Sequence, residues 1–218
     1  MEQKLKGIMF DMDNTLLQSN IDFPEMKAAT YCYLVQREVL PNKMNLHAHT
    51  TSTIIEEAIR TNKMTEELLR EMWEIPKKYE IEGMRDAALE PGARDVLNIL
   101  RGGYHLVIVT NNSVEAAKTA LNEHHILEYF DLVVGREYMK TMKPSPDGYL
   151  HVLRTFDSSA QQWISVGDSW IDGKGSAAAG IRFIAYKSDQ DKLRRMQVTP
   201  YAEIDHLMGL ITILEQES

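Results

Sequence analysis

The sequence is nearly free of cysteine. Cys32 is the only one in 218 residues, so no intramolecular disulfide can form and a thiolate-built zinc cluster is excluded. At its position in a helical pattern Cys32 reads as a small buried hydrophobe. Long apolar runs are also missing. No segment is long enough to span a membrane, and no secretory h-region follows Met1, so the expected location is the cytoplasm with no membrane contact. There is no basic excess or basic stripe: the formal net charge is -8, which argues against nucleic-acid binding. The seven prolines and twelve glycines are scattered, and no low-complexity tract or fixed-period repeat occurs.

What is present is an ordinary globular composition, 44% hydrophobic and 26% charged, long enough to bury a sizeable core. The apolar end of Gly7-Ile8-Met9-Phe10 predicts a buried strand that delivers Asp11 at its carboxyl end. Apolar residues then recur at three- and four-residue spacings, predicting helices over 24–39, 50–60 and 65–79. After Pro91-Gly92 the pattern alternates. Helices are expected at 93–101, 113–125, 146–156, 171–179, 188–197 and 205–215. Strands are expected at 105–110, 132–134, 163–166 and 181–185, with an extended piece at 201–204. Asn112 is the expected cap of the helix at 113, with Glu115 completing a capping box, and Ser145 the expected cap of the helix at 146. Repeated strand–helix units imply an α/β fold: a mostly parallel, Rossmann-like sheet interrupted by an inserted α-helical domain. The expected boundaries are core 1–16, helical insert 17–88 and core 89–218.

Ligands in open α/β sheets bind beyond the carboxyl ends of the strands. That rule selects Asp11-Met12-Asp13-Asn14-Thr15, Thr110-Asn111-Asn112, the region of Lys143, and Gly167-Asp168-Ser169-Trp170-Ile171-Asp172. Together they bring four carboxylates and one ammonium. So many converging carboxylates call for a hard divalent cation, and Mg²⁺ takes oxygen ligands and phosphate oxygens together. The chain is expected to coil after Phe10, turning the Asp13 carbonyl toward the metal and leaving its side chain free for proton transfer. The Thr110 hydroxyl and the amides of the following helix suit an anion, and Lys143 adds positive charge.

Phe10-Asp11-Met12-Asp13-Asn14-Thr15-Leu16, Val109-Thr110-Asn111-Asn112, Lys143-Pro144-Ser145-Pro146-Asp147 and Gly167-Asp168-Ser169-Trp170-Ile171-Asp172 resemble, in order, the four motifs of the haloacid dehalogenase-like hydrolases. The insert resembles the small helical cap of the subfamily containing phosphoglycolate phosphatase and β-phosphoglucomutase. The resemblance implies Asp11 as nucleophile and Asp13 as general acid and base. It implies Thr110, Asn111 and Lys143 as phosphate ligands. Mg²⁺ would sit on Asp11, the Asp13 carbonyl and Asp168, with Asp172 in support. Asn14 stands where many members have glycine.

The resemblance further implies hydrolysis of a small phosphorylated metabolite, phosphoglycolate or a sugar phosphate, by a monomer or weak homodimer. Asp13 favours phosphoryl transfer over dehalogenation, because an alkoxide needs a proton to leave and a halide does not. Mutase relatives carry a histidine shortly after the first motif, and residues 16–23 contain none. A phosphomutase and a non-catalytic protein-binding module are the competing readings. In the insert, His47, His49, Arg37, Lys43 and Arg60 read as solvated residues before they read as substrate contacts.

Overall fold

The computed structural model describes residues 4–85 and 87–216, which divide into two compact units. One comprises Met1–Gln18 with Ala88–Ser218, the other Ser19–Ala87. The sequence reading put these boundaries at 16/17 and 88/89.

The first unit is a six-stranded sheet in the order β5-β4-β1-β6-β7-β8, every pair parallel. The strands are β1 Gly7–Phe10, β4 His105–Val109, β5 Leu132–Val134, β6 Trp163–Gly167, β7 Arg182–Tyr186 and β8 Ala202–Ile204. β1 lies between β4 and β6, and every one of its residues is buried. A strand covered on both faces reads as a continuous apolar run, which is what Ile8-Met9-Phe10 supplies. β4 and β5 lie on one side of β1 and β6, β7 and β8 on the other, so the crevice beside its carboxyl end is the topological switch point. Gly7 is required at the opposite end, where a Cβ would collide with the buried Trp163 ring.

The helices that cover the sheet are α4 Ala93–Leu100, α5 Val114–Glu123, α6 Asp147–Thr155, α7 Trp170–Ala178, α8 Gln190–Arg195 and α9 Gly209–Gln216. Met9, Val107, Val109, Tyr149, Val152 and Trp163 form one core cluster, and Trp170, Phe183, Ala185, Leu193 and Val198 another. α6 begins one residue later than expected because Pro146 itself takes the cap position, while Ser145 Oγ binds the Asp147 side chain at 3.0 Å. α8 and α9 are shorter than expected, and β7 is displaced by one residue.

The second unit contains α1 Phe23–Gln36, α2 Thr51–Arg60 and α3 Glu66–Met84, with α1 against both others. Each start has a side-chain cap: Asp22 accepts from Glu25 N, Thr50 and Thr53 form a reciprocal box, and Thr65 accepts from Leu68 N. α1 buries Met26, Thr30 and Leu34, a four-residue spacing. Cys32 lies halfway between two of these positions, on the opposite face, and is therefore exposed and not buried. No helix among the described residues is long and apolar enough to cross a membrane.

Two short strands were not legible in the sequence. β2 Leu17–Gln18 and β3 Ala88–Leu89 pair antiparallel where the chain leaves and re-enters the first unit. Glu90 N–H donates to Leu16 O at 2.9 Å. The buried Glu90 carboxylate accepts from Tyr186 Oη at 2.6 Å and from Lys187 Nζ at 2.8 Å. Burial alone would raise the Glu90 pKa, but Lys187, Tyr186 and Gln18 outweigh it and bring it below the usual value. A lowered carboxylate pKa contributes stability in full above the unfolded value of about 4.3, lost as pH falls through the folded one. Glu90→Ala leaves the buried Tyr186 hydroxyl without this acceptor and is expected to cost about 1–3 kcal/mol at neutral pH. In thermal unfolding the gap between wild type and variant should narrow as pH falls below about 4.

Candidate active site

All four selected segments lie at the carboxyl edge of the sheet. β1 ends at Phe10, and Asp11 N–H continues the ladder to Val166 O at 2.9 Å. The chain then coils, as expected. Met12 O accepts from Leu16 N and Leu17 N, both at 3.0 Å, and Asn14 takes φ 54°, a left-handed geometry that asparagine tolerates. The turn returns Thr15 Oγ1 to Asp11 Oδ2 at 3.3 Å.

Lys143 is the centre of the site. It is 1% exposed, and its ammonium donates to Asp11 Oδ1 at 2.6 Å, Asp172 Oδ1 at 2.6 Å and Val109 O at 2.8 Å. Burial opposes the charge, yet Asp11 and Asp172 prevail and hold Lys143 well above its usual value. Asp172 is placed by Ser169 N–H, which donates to its Oδ2 at 3.1 Å. Gly167 makes room for it, since a Cβ there would meet Asp172 Cβ at 2.7 Å. Buried Tyr149 donates from Oη to Asp172 O at 3.3 Å.

One ammonium cannot balance the carboxylates around it. Asp11, Asp168 and Asp172 each offer an oxygen within 4.8 Å of the others. Burial first, then the charges of Asp11 and Asp172, hold Asp168 well above the usual carboxylate range. Burial also drives Asp172 to about 6, against the pull of Lys143 and with that of Asp11. An all-oxygen donor set with uncompensated negative charge fits a hard divalent cation.

Asp13 stands apart from that trio. Its Oδ2 accepts from Asn112 Nδ2 at 2.8 Å, and the residue is buried. This revises the reading of α5: Asn112 is not its cap. Ser113 takes that position, with Oγ accepting from Ala116 N at 3.2 Å, because the Asn112 side chain is committed to Asp13. The anion site expected at the start of α5 is also narrower. Glu137 Oε2 accepts from Val114 N at 2.9 Å and Ser113 occupies Ala116 N, so neither amide is open to a ligand. Thr110 is buried at the end of β4, its Oγ1 accepting from Asn112 N at 3.2 Å. Asn111 is bonded through both side-chain polar atoms to the backbone of Lys143. The partners of Asn111, Asn112 and Glu137 lie 23 or more residues away in sequence, so no local spacing pointed to them.

In the second unit, Arg37 pairs with Glu71 at 3.0 Å and Arg60 with Glu57 at 2.8 Å, both exposed. Lys43 and His47 are exposed, and His49 Nδ1 lies 3.4 Å from Thr53 Oγ1.

A buried lysine bound to two members of an acidic trio, with a further carboxylate held by an asparagine, makes an enzyme site suited to anionic substrates. Residues 8–186 match the family model described as haloacid dehalogenase-like hydrolase, and the chain belongs to that family, in its phosphatase branch. It is 30% identical over 189 residues to a phosphoglycolate phosphatase of Nitrosospira multiformis, covering 81% of this chain and 80% of that one. A phosphoglycolate phosphatase of Chromobacterium violaceum is 28% identical over 188 residues, covering 83% and 84%. In fold the chain is similar to a HAD-superfamily hydrolase of Geobacter sulfurreducens, with TM-score 0.62, 23% identity and coverage of 96% and 99%. It is likewise similar to the HAD-type hydrolase YfnB of Bacillus subtilis, solved bound to magnesium, with TM-score 0.64, 24% identity and coverage of 97% and 99%.

The crowded trio gives a prediction of two opposite signs. A carboxylate whose folded pKa is raised costs the fold stability as pH rises from the unfolded value through the folded one. Asp168→Asn is therefore expected to raise the melting temperature of the metal-free protein at pH 7. If the trio holds a divalent cation, the variant should also lose the stabilisation expected of wild type in Mg²⁺, about 2.7 kcal/mol at a hundredfold excess over Kd. Calorimetry with and without Mg²⁺ checks both; a variant still stabilised by the metal as wild type is would contradict the assignment.

Proposed function

We propose that this chain is a Mg²⁺-dependent phosphatase that hydrolyses a small phosphomonoester, 2-phosphoglycolate first among candidates, through an aspartyl-phosphate on Asp11. The observation that carries the reading is the division of labour between the two aspartates of the first loop. Asp11 is bound by Lys143 and belongs to the acidic trio, whereas Asp13 is bound by Asn112 and is not one of the three. Carboxylates kept in different environments can take different protonation roles.

Asp11 attacks phosphorus, the ester P–O bond breaks, and the leaving oxygen takes a proton from Asp13. Asp13, now a carboxylate, removes a proton from the water that attacks the acyl-phosphate. Inorganic phosphate leaves and Asp11 is regenerated. Lys143 holds Asp11 in place and offsets charge on the transferring oxygens. Thr110 contributes its hydroxyl at the edge of the same crevice. Mg²⁺, carried by Asp11, Asp168 and the Asp13 carbonyl with Asp172 in support, would supply further positive charge for the phosphoryl oxygens. The substrate assignment draws support from the named activity of the relatives that match about four fifths of the chain. Glycolate leaves as a basic alkoxide, which requires the proton that Asp13 gives.

Phosphate release from a panel of phosphomonoesters, with and without Mg²⁺, tests the reading. 2-Phosphoglycolate should be the best substrate, and EDTA should remove activity reversibly. Asp11→Asn should abolish turnover with the fold intact; retention of more than a small residue would exclude the covalent route. Asp13→Asn should lower turnover roughly 10²–10⁴-fold. By rapid quench, its first-step deficit should be smaller for p-nitrophenyl phosphate, whose leaving group needs little protonation, and phosphoenzyme should accumulate.

A further inference from the structure

We infer that the side chain of Asn111 is a positioning group that acts through Lys143, and is not itself a ligand of the phosphoryl group. Asn111 Oδ1 accepts from Lys143 N at 2.8 Å, and Asn111 Nδ2 donates to Lys143 O at 3.0 Å. The side-chain amide thus pairs with the N–H and C=O of one residue, as a neighbouring strand would. The reverse orientation of the amide would set oxygen against oxygen and nitrogen against nitrogen, so the polarity of the pair is fixed by its partners.

Lysine is a long chain with several free torsions, and a charge at its tip is only as well placed as its two ends. The tip of Lys143 is fixed by Asp11, Asp172 and Val109 O. The base is fixed by Asn111, because Lys143 lies in the loop between β5 and α6, outside any ladder. Asn111 is itself fastened from the next strand. Its carbonyl accepts from Arg136 Nη1 at 3.5 Å, and the adjoining Asn112 carbonyl accepts from Arg136 N at 3.0 Å. The end of β5 therefore holds Asn111, Asn111 holds the Lys143 peptide, and the Lys143 ammonium holds the nucleophile. Turning the amide toward a substrate anion would break both bonds and leave a peptide N–H and C=O to find new partners, a cost that a direct phosphate contact would have to exceed.

The test has a spectroscopic arm and a kinetic arm, and only the kinetic arm rests on the phosphatase reading. An ammonium with three fixed acceptors exchanges its protons slowly. In full-length, metal-free protein labelled with ¹⁵N-lysine it should give a distinct NH₃⁺ resonance, assigned by its loss in Lys143→Arg. In Asn111→Ala that resonance should broaden or vanish while the amide spectrum of the sheet is unchanged. Asn111→Asp keeps the acceptor for Lys143 N–H but lacks the donor to Lys143 O, so its signal should be intermediate. This second variant also decides the matter if Asn111→Ala does not fold. In turnover of p-nitrophenyl phosphate, Asn111→Ala should lose on the order of 10–100-fold in kcat, as misplacement of a catalytic group does. The Asn111→Ala/Lys143→Arg double variant should be no worse than Lys143→Arg alone. An unchanged Lys143 resonance in Asn111→Ala, no resonance in wild type, or multiplying losses in the double variant would overturn the inference. A wild-type protein inactive on every phosphomonoester would overturn the proposed function and leave the spectroscopic result standing.

Discussion

The buried ammonium of Lys143 is the contact on which the active edge of this molecule depends. Three acceptors surround it: the Asp11 carboxylate just past β1, the Asp172 carboxylate in the first turn of α7, and the carbonyl of Val109. A lysine this deep in protein would shed its proton if it faced only apolar groups. Here it stays charged because Asp11 and Asp172 stand at 2.6 Å, and they tolerate burial because it stands between them. Removing Lys143 would leave both carboxylates without their counter-charge inside the protein, which is more costly than the loss of an exposed ion pair.

That balance is deliberately incomplete in electrostatic terms. Asp168 adds a third carboxylate, with no second lysine to meet it among the described residues, and burial first, then the neighbouring carboxylates, shifts Asp168 and Asp172 upward. An excess of this kind turns cation binding and folding into coupled equilibria, because the ion relieves a repulsion that the protein alone retains. Asp13 is bound by Asn112 and is not one of the trio, though its charge adds to the rise of Asp168. Two residues of sequence thus separate a carboxylate bound to the buried lysine from one bound to an asparagine amide.

Much of this was legible in the sequence. A short unbroken apolar run ending in aspartate reads as a strand covered on both sides, and β1 does deliver Asp11 at the sheet edge. Thr110 and Asp168 followed from the same logic at the ends of β4 and β6. What stayed hidden were polar side chains with remote partners. Asn112 has the local signature of a helix cap, and nothing nearby in sequence announces that Asp13 claims it first. Glu137 closes the start of α5 from another loop, and Glu90 binds Tyr186 and Lys187 across 96 and 97 residues of sequence. Cys32 failed for a simpler reason: residue type suggested burial, and its position on the helix decided otherwise.

The short β2–β3 pair carries a consequence for the history and engineering of the chain. Gln18 and Ala88 face each other directly across that ladder. Within the second unit, the two ends are also joined, by Asn20 N–H to Gly83 O at 2.9 Å. Topologically, then, the helical unit is the loop of a hairpin whose stem belongs to the sheet unit. A hairpin stem is indifferent to what closes it, provided the ends stay in register. A two-residue Asn-Gly turn could replace the whole insertion and still close the stem. The same stem could equally receive a different folded module, which makes this crossing a natural graft point in the chain.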